Sequence, residues 1–118
     1  MRMNRRAWGK EGEDRAVGFL LKKGYRILER NFRFERGEID IVAEDGETLV
    51  FVEVKSRRSK SFGEAENAIS VHKRKQLRRI AEGYLFKNSI DGKACRFDVI
   101  GVQYVGKETE IRHLVDAF

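Results

Sequence analysis

Between Gly37 and Ser56 two runs of alternating side chains flank Glu44-Asp45-Gly46-Glu47, which restricts the chain to folds organised on a central hairpin. Asp-Gly between alternating runs signals a two-residue turn, because type I′ geometry needs positive φ at both central positions. With Asp45 and Gly46 as the loop, Ala43 faces Thr48, Ile41 faces Val50 and Ile39 faces Val52. One face then carries Ile39, Ile41, Ala43, Val50, Val52 and Val54; it is wholly apolar and must be buried. The other carries Glu38, Asp40, Val42, Leu49, Phe51, Glu53 and Lys55, apolar near the turn and charged away from it.

This register sets Asp40 opposite Phe51 and diagonal to Glu53, with backbones about 7–8 Å apart. Two carboxylates converging across that gap can share Mg²⁺ or Mn²⁺, a hard cation that keeps other positions for water and phosphate. Lys55 follows Glu53 by two residues and leaves the strand on the same face. An ammonium there can position an attacking water and stabilise developing charge in phosphodiester hydrolysis, while a metal lowers the pKa of the water. The plain alternative is a solvated salt-bridge ladder on an exposed sheet face.

Helical periodicity runs from Ala7 to Lys23 and ends at Gly24. Its stripe of Gly9, Gly12, Glu13, Ala16, Val17 and Leu20 contains one charge, Glu13, directed at the protein body. Burying an unpaired carboxylate costs several kcal/mol, so a metal or Lys55 is its natural partner, with Arg96 or Lys73 as the ordinary ion-pair alternative. Strands are predicted over Tyr25–Phe32, Gly37–Ala43, Thr48–Ser56 and Arg96–Val105, with a short one over Glu110–Leu114. A loop is expected at Lys60–Glu66. A second helix follows over Asn67–Phe86, with Lys73 the single cation of its inner stripe. The order αβββαβ predicts a mixed α/β fold, a central mixed sheet flanked by helices.

A length of 118 residues suits one domain. The net charge of +6 and pI near 9.7 favour a polyanionic partner, nucleic acid first. Arg57, Arg58 and Lys60 beyond the third strand, and Lys73, Arg74 and Lys75 on the second helix, are candidate phosphate contacts; a merely solvated basic face is the alternative. Arg2, Arg5 and Arg6 could extend it, and Trp8 is either a base-stacking group or a packing anchor. Cys95 is the sole cysteine, so no internal disulfide forms, and its apolar run suggests a core filler. With only His72 and His113 beside it, a Cys/His zinc cluster is excluded; neither histidine has an evident partner or catalytic role. No signal-peptide core or membrane-length apolar stretch is present, so the expected compartment is the cytoplasm.

Gly37-Glu38-Ile39-Asp40 followed by Phe51-Val52-Glu53-Val54-Lys55-Ser56-Arg57 resembles the PD-(D/E)xK nuclease signature. The chain as a whole is similar to the bacterial YraN-like family of small predicted endonucleases, distantly akin to archaeal Holliday-junction resolvases. The similarity runs through Trp8-Gly9-x-x-Gly12-Glu13, Arg30-Asn31, Phe62-Gly63, Lys73, Arg96-Phe97-Asp98-Val99 and Asp116-Ala117-Phe118. It implies a restriction-endonuclease-like core with Asp40 and Glu53 as metal ligands and Lys55 as the catalytic lysine. Glu13 matches the first-helix glutamate that completes the metal site in related resolvases. The signature proline is absent and Glu38-Ile39 stands in its place, which leaves Glu38 as a substitute ligand. The expected function is Mg²⁺- or Mn²⁺-dependent cleavage of DNA, branched or damaged DNA in particular, in repair or recombination. A homodimer is the assembly expected of a cutter making two symmetric scissions. Two other readings stay open: a non-catalytic nucleic-acid-binding module of the same fold, and a protein-binding adaptor whose acids are bridged by lysines.

Overall fold

The computed structural model describes residues 5–58 and 69–118, with side chains from Gly9 onward. Lys60, the Lys60–Glu66 loop, Phe62-Gly63, Arg2 and the side chains of Arg5, Arg6 and Trp8 lie outside the described part. Helix α1 spans Arg5–Lys22 and is followed by strands β1 (Arg26–Phe34), β2 (Gly37–Asp45) and β3 (Thr48–Arg57). Helix α2 (Val71–Lys87) leads to β4 (Cys95–Val105) and β5 (Glu108–Leu114). The protein is mixed α/β, a pattern compatible with a restriction-endonuclease-like core.

The first helix stops where its sequence turns to glycine: Gly24 takes φ +90° and Tyr25 N–H returns to the Leu20 carbonyl at 3.0 Å. The second begins later than periodicity indicated. Ile69 and Ser70 precede it, and Ser70 caps it by accepting from the Lys73 N–H at 3.1 Å. The hydroxyl thus satisfies a donor that the helix cannot satisfy itself.

The five strands form one sheet in the order β1-β2-β3-β4-β5, with every pairing antiparallel except β3 with β4. That parallel pair requires a crossover, which contains α2. The two described helices cover opposite faces. Ala16 and Leu20 of α1 pack with Ile41, Ala43, Val50, Val52, Ile100 and Val102, while Leu77, Ile80 and Tyr84 of α2 pack with Phe32, Ile39, Val42, Phe51 and Val99. A Cβ at Gly12 would overlap the Ser56 hydroxyl, so glycine is what lets α1 approach β3 one residue before Glu13.

The hairpin register differs from the sequence expectation. Asp45 pairs with Thr48, Ala43 with Val50 and Ile41 with Val52, so the loop is Gly46-Glu47 rather than Asp45-Gly46. Gly46 has φ +60° while Glu47 is not left-handed, which meets the type II′ requirement of glycine at the first central position. Continuing this register brings Asp40 level with Glu53 instead of Phe51.

A second departure concerns Ile39, expected beside Ile41 but buried on the α2 face. Across the ladder Arg30 reaches α1 and bonds Asp14 at 2.6 Å, whereas Phe32 packs under α2. Residues two apart in a strand normally share a face. Between these pairs stand Asn31, at φ +53°, and Asp40; Arg30↔Ile41 and Phe32↔Ile39 pair on either side of them. Both strands therefore exchange faces at the same level, and the acids gather there. No described helix is long and apolar enough to cross a membrane.

Candidate active site

Pairing of β2 with β3 reaches Ile41↔Val52 and goes no further toward the strand ends. The Val54 N–H, beyond that point, donates to Asp40 Oδ2 at 2.8 Å, so a side chain takes over where the backbone ladder stops. Asp40 is half-buried and its carboxyl is pushed up to about 9. Burial is the largest cause; next come the hydrogen bond and the negative charge of Glu53, then the charge of Glu13. The Val54 N–H opposes them. Without a cation, Asp40 keeps its proton near neutral pH, because burial and the adjacent charge of Glu53 both oppose its ionisation. Asp40 and Glu53 therefore meet, level across the hairpin and not diagonal as the sequence register set them.

Glu53 is buried, 6% exposed, on the face toward α2. Lys73 Nζ lies 3.6 Å from its Oε2 and Lys55 Nζ 4.0 Å from the same atom. Both ammonium groups remain partly open to solvent. On the other side, ligand oxygens of Glu13, Glu38 and Asp40 lie within 4.8 Å of one another. A hard divalent cation, which prefers carboxylate oxygens and a few waters, suits this all-oxygen set. Glu38 belongs to the tight group, while Glu53 is joined to it through Asp40.

Neither ion pair suggested for Glu13 forms. Its Oε1 accepts from Asn31 Nδ2 at 2.8 Å, and the same amide nitrogen donates to Glu38 Oε1 at 3.1 Å. Arg33 Nε also reaches Glu38, at 3.2 Å. Asn31 was not selected from sequence as a site residue. Its signal was an asparagine inside an otherwise β-favouring run, where a poor strand former needs a local reason.

The other basic candidates are placed unevenly. Arg57 is exposed where β3 ends, and Arg58 follows it. Lys75 is exposed on α2, while Arg74 bonds the Ile69 carbonyl at 3.2 Å and lies 5.8 Å over the Phe118 ring. Arg96, far from Glu13, bonds Asp45, Asp98 and Tyr25.

Two further expectations are corrected. His113 does have partners: Nε2 lies 2.7 Å from Asp98 Oδ2 and Nδ1 lies 2.9 Å from Lys23 Nζ. An ammonium can only donate, so Nδ1 accepts and the proton sits on Nε2. Cys95 is exposed, not a core filler, because it opens β4 at the sheet's end with its thiol toward the Lys93 carbonyl at 3.4 Å.

Residues 12–102 match the model of a family described as "Uncharacterised protein family UPF0102", a span that includes Glu13, Asn31, Glu38, Asp40, Glu53, Lys55 and Lys73. Similar proteins bearing that family's name occur in several bacteria. One from Caldicellulosiruptor saccharolyticus is 47% identical, covering 92% of each chain. One from Moorella thermoacetica is 49% identical over 86% of this chain and 85% of its own. One from Geobacter metallireducens is 42% identical over 100% of this chain and 97% of its own.

Proposed function

The chain belongs to uncharacterised protein family UPF0102, and we propose that this member is a metal-dependent endonuclease hydrolysing DNA phosphodiester bonds. The observation that carries this reading is the meeting of Asp40 with Glu53 at the end of the β2–β3 ladder, beside Glu13 and Glu38 and with two lysines on Glu53.

Asp40, Glu13 and Glu38 would hold Mg²⁺ or Mn²⁺, with Glu53 completing the set from β3. Such an ion, when bound, supplies Lewis-acid chemistry: it acidifies a water and offsets charge on the phosphate. Asp40 gives up its proton when the site is occupied. Lys55, four-tenths of a nanometre from Glu53, orients the attacking water and stabilises the charge of the pentacovalent phosphorus. Lys73 neutralises a neighbouring phosphate oxygen from the α2 side, and Arg57, Arg58 and Lys75 hold the backbone without reading sequence. The half-exposed rim of the acids admits a polymeric substrate. Branched or damaged DNA is the substrate class that the nuclease resemblance brings.

The test is cleavage of plasmid, single-stranded, flap and four-way-junction DNA in Mg²⁺ and Mn²⁺ by the wild type, Lys55→Ala and Asp40→Asn. Metal-dependent cutting lost in both variants is expected; cutting unchanged in both removes this site as the catalyst. A second reading draws on the same Lys73–Glu53–Lys55 contacts: lysines already bridge an acid, as a protein-binding adaptor requires. It predicts no Mn²⁺ uptake in a calorimetric titration.

A further inference from the structure

Among the described residues, Asn31 is the one neutral side chain bonded to two of the gathered carboxylates, and it sits level with Asp40 in the β1–β2 ladder. We infer that Asn31 is a positioning residue for the metal centre: its amide clamps Glu13 to Glu38 so that the two carboxylates converge with Asp40. The inference rests on the metal-site reading above.

The geometry supports it in three ways. The amide nitrogen has two hydrogens, and its two acceptors, Glu13 Oε1 at 2.8 Å and Glu38 Oε1 at 3.1 Å, account for both. Glu13 keeps its second oxygen for a cation, while Glu38 Oε2, which also accepts from Arg33 Nε at 3.2 Å, has a further lone pair to offer. The acids come from different elements, Glu13 from α1 and Glu38 from β2, and the side chain of Asn31 on β1 joins them. The left-handed backbone, φ +53°, turns Asn31 out of the alternation that sends Arg30 to α1 and Phe32 to α2. Asparagine tolerates this conformation better than most residues and brings the donor with it. Hydrogen bonds to ligating carboxylates set ligand orientation, and their loss lowers metal affinity by about 10–100-fold.

The variants separate backbone from amide. Asn31→Gly keeps the left-handed conformation and deletes the amide; Asn31→Ala removes both. Mn²⁺ affinity is measured by calorimetry on wild type, Asn31→Gly, Glu38→Gln and the double variant, with thermal melting to show that each is folded. About a 10–100-fold weaker affinity in folded Asn31→Gly is expected, with a smaller loss when Glu38 is already Gln, since the two act through one contact. Wild-type binding that is unchanged in Asn31→Gly, or losses that simply add in the double variant, overturns the positioning role and leaves the nuclease reading standing. A wild type that takes up no Mn²⁺ overturns both.

Discussion

Replacing Asp40 by Asn should make the metal-free protein more stable while removing its activity. The carboxyl sits at about 9 when no cation is bound, mainly through burial and the neighbouring Glu53, against about 3.9 in an unfolded chain. A carboxyl raised in the folded state binds more protons folded than unfolded, so between those values stability falls as pH rises. Each pH unit in that window costs about 1.4 kcal/mol, or at most about 3 kcal/mol between pH 5 and pH 7. Water reaching a half-buried group lowers that toward about 1 kcal/mol. Asn has the shape of the protonated acid: its amide donates toward Glu53 and its carbonyl accepts the Val54 N–H. Nothing at position 40 is then left to ionise. Urea unfolding of both proteins with a chelator, from pH 5 to pH 8, reads the difference. Asp40→Asn should gain on wild type steadily as pH rises. With saturating Mn²⁺ the order should narrow or reverse, because ligand at about 100 times its Kd adds about 2.7 kcal/mol to the protein that binds it. A difference that stays flat with pH in chelator would show that Asp40 and Glu53 do not repel as the geometry requires.

Three other outcomes follow from particular contacts. Asp98 is fully buried; burial alone would raise its carboxyl, but hydrogen bonds from His113, Arg96 and the Asp116 N–H outweigh that and hold it below the usual range. Its stabilisation is therefore complete above about pH 4 and lost as pH falls further, and Asp98→Asn should cost about 3–5 kcal/mol at pH 7 in chemical unfolding while flattening the acid limb. Gly12→Val should cost about 1–3 kcal/mol by overpacking against Ser56 and weaken Mn²⁺ binding by moving Glu13, whereas Gly12→Ala should lose less because helix propensity offsets it by about 1 kcal/mol. Lys73→Ala should lower the salt slope of DNA binding by about one with metal uptake retained; an unaltered slope in fluorescence anisotropy would remove Lys73 from the phosphate contacts.

Much of the fold was legible because it depends on local chemistry. Alternation marked the strands, three-and-four spacing marked the inner faces of the helices, and Gly24 marked the end of α1. The acid on β2 and the Glu53-x-Lys55 pair were visible for the same reason, being charges at positions whose neighbours are apolar. The hairpin register was not. Moving the loop from Asp45-Gly46 to Gly46-Glu47 slides the strands by two residues, and a period-two pattern is unchanged by a slide of two.

Sequence alone determined that a hairpin with one wholly apolar face would carry carboxylates and a lysine away from its turn, since turn chemistry and side-chain alternation are properties of neighbouring residues. Tertiary structure decided how those groups meet. The face exchange at Asn31 and Asp40, the amide shared by Glu13 and Glu38, the lysine of α2 on Glu53 and the His113–Asp98 bond all join residues distant along the chain. A polar side chain takes whichever partner packing brings within reach of it, and that choice exists only once the helices lie on the sheet.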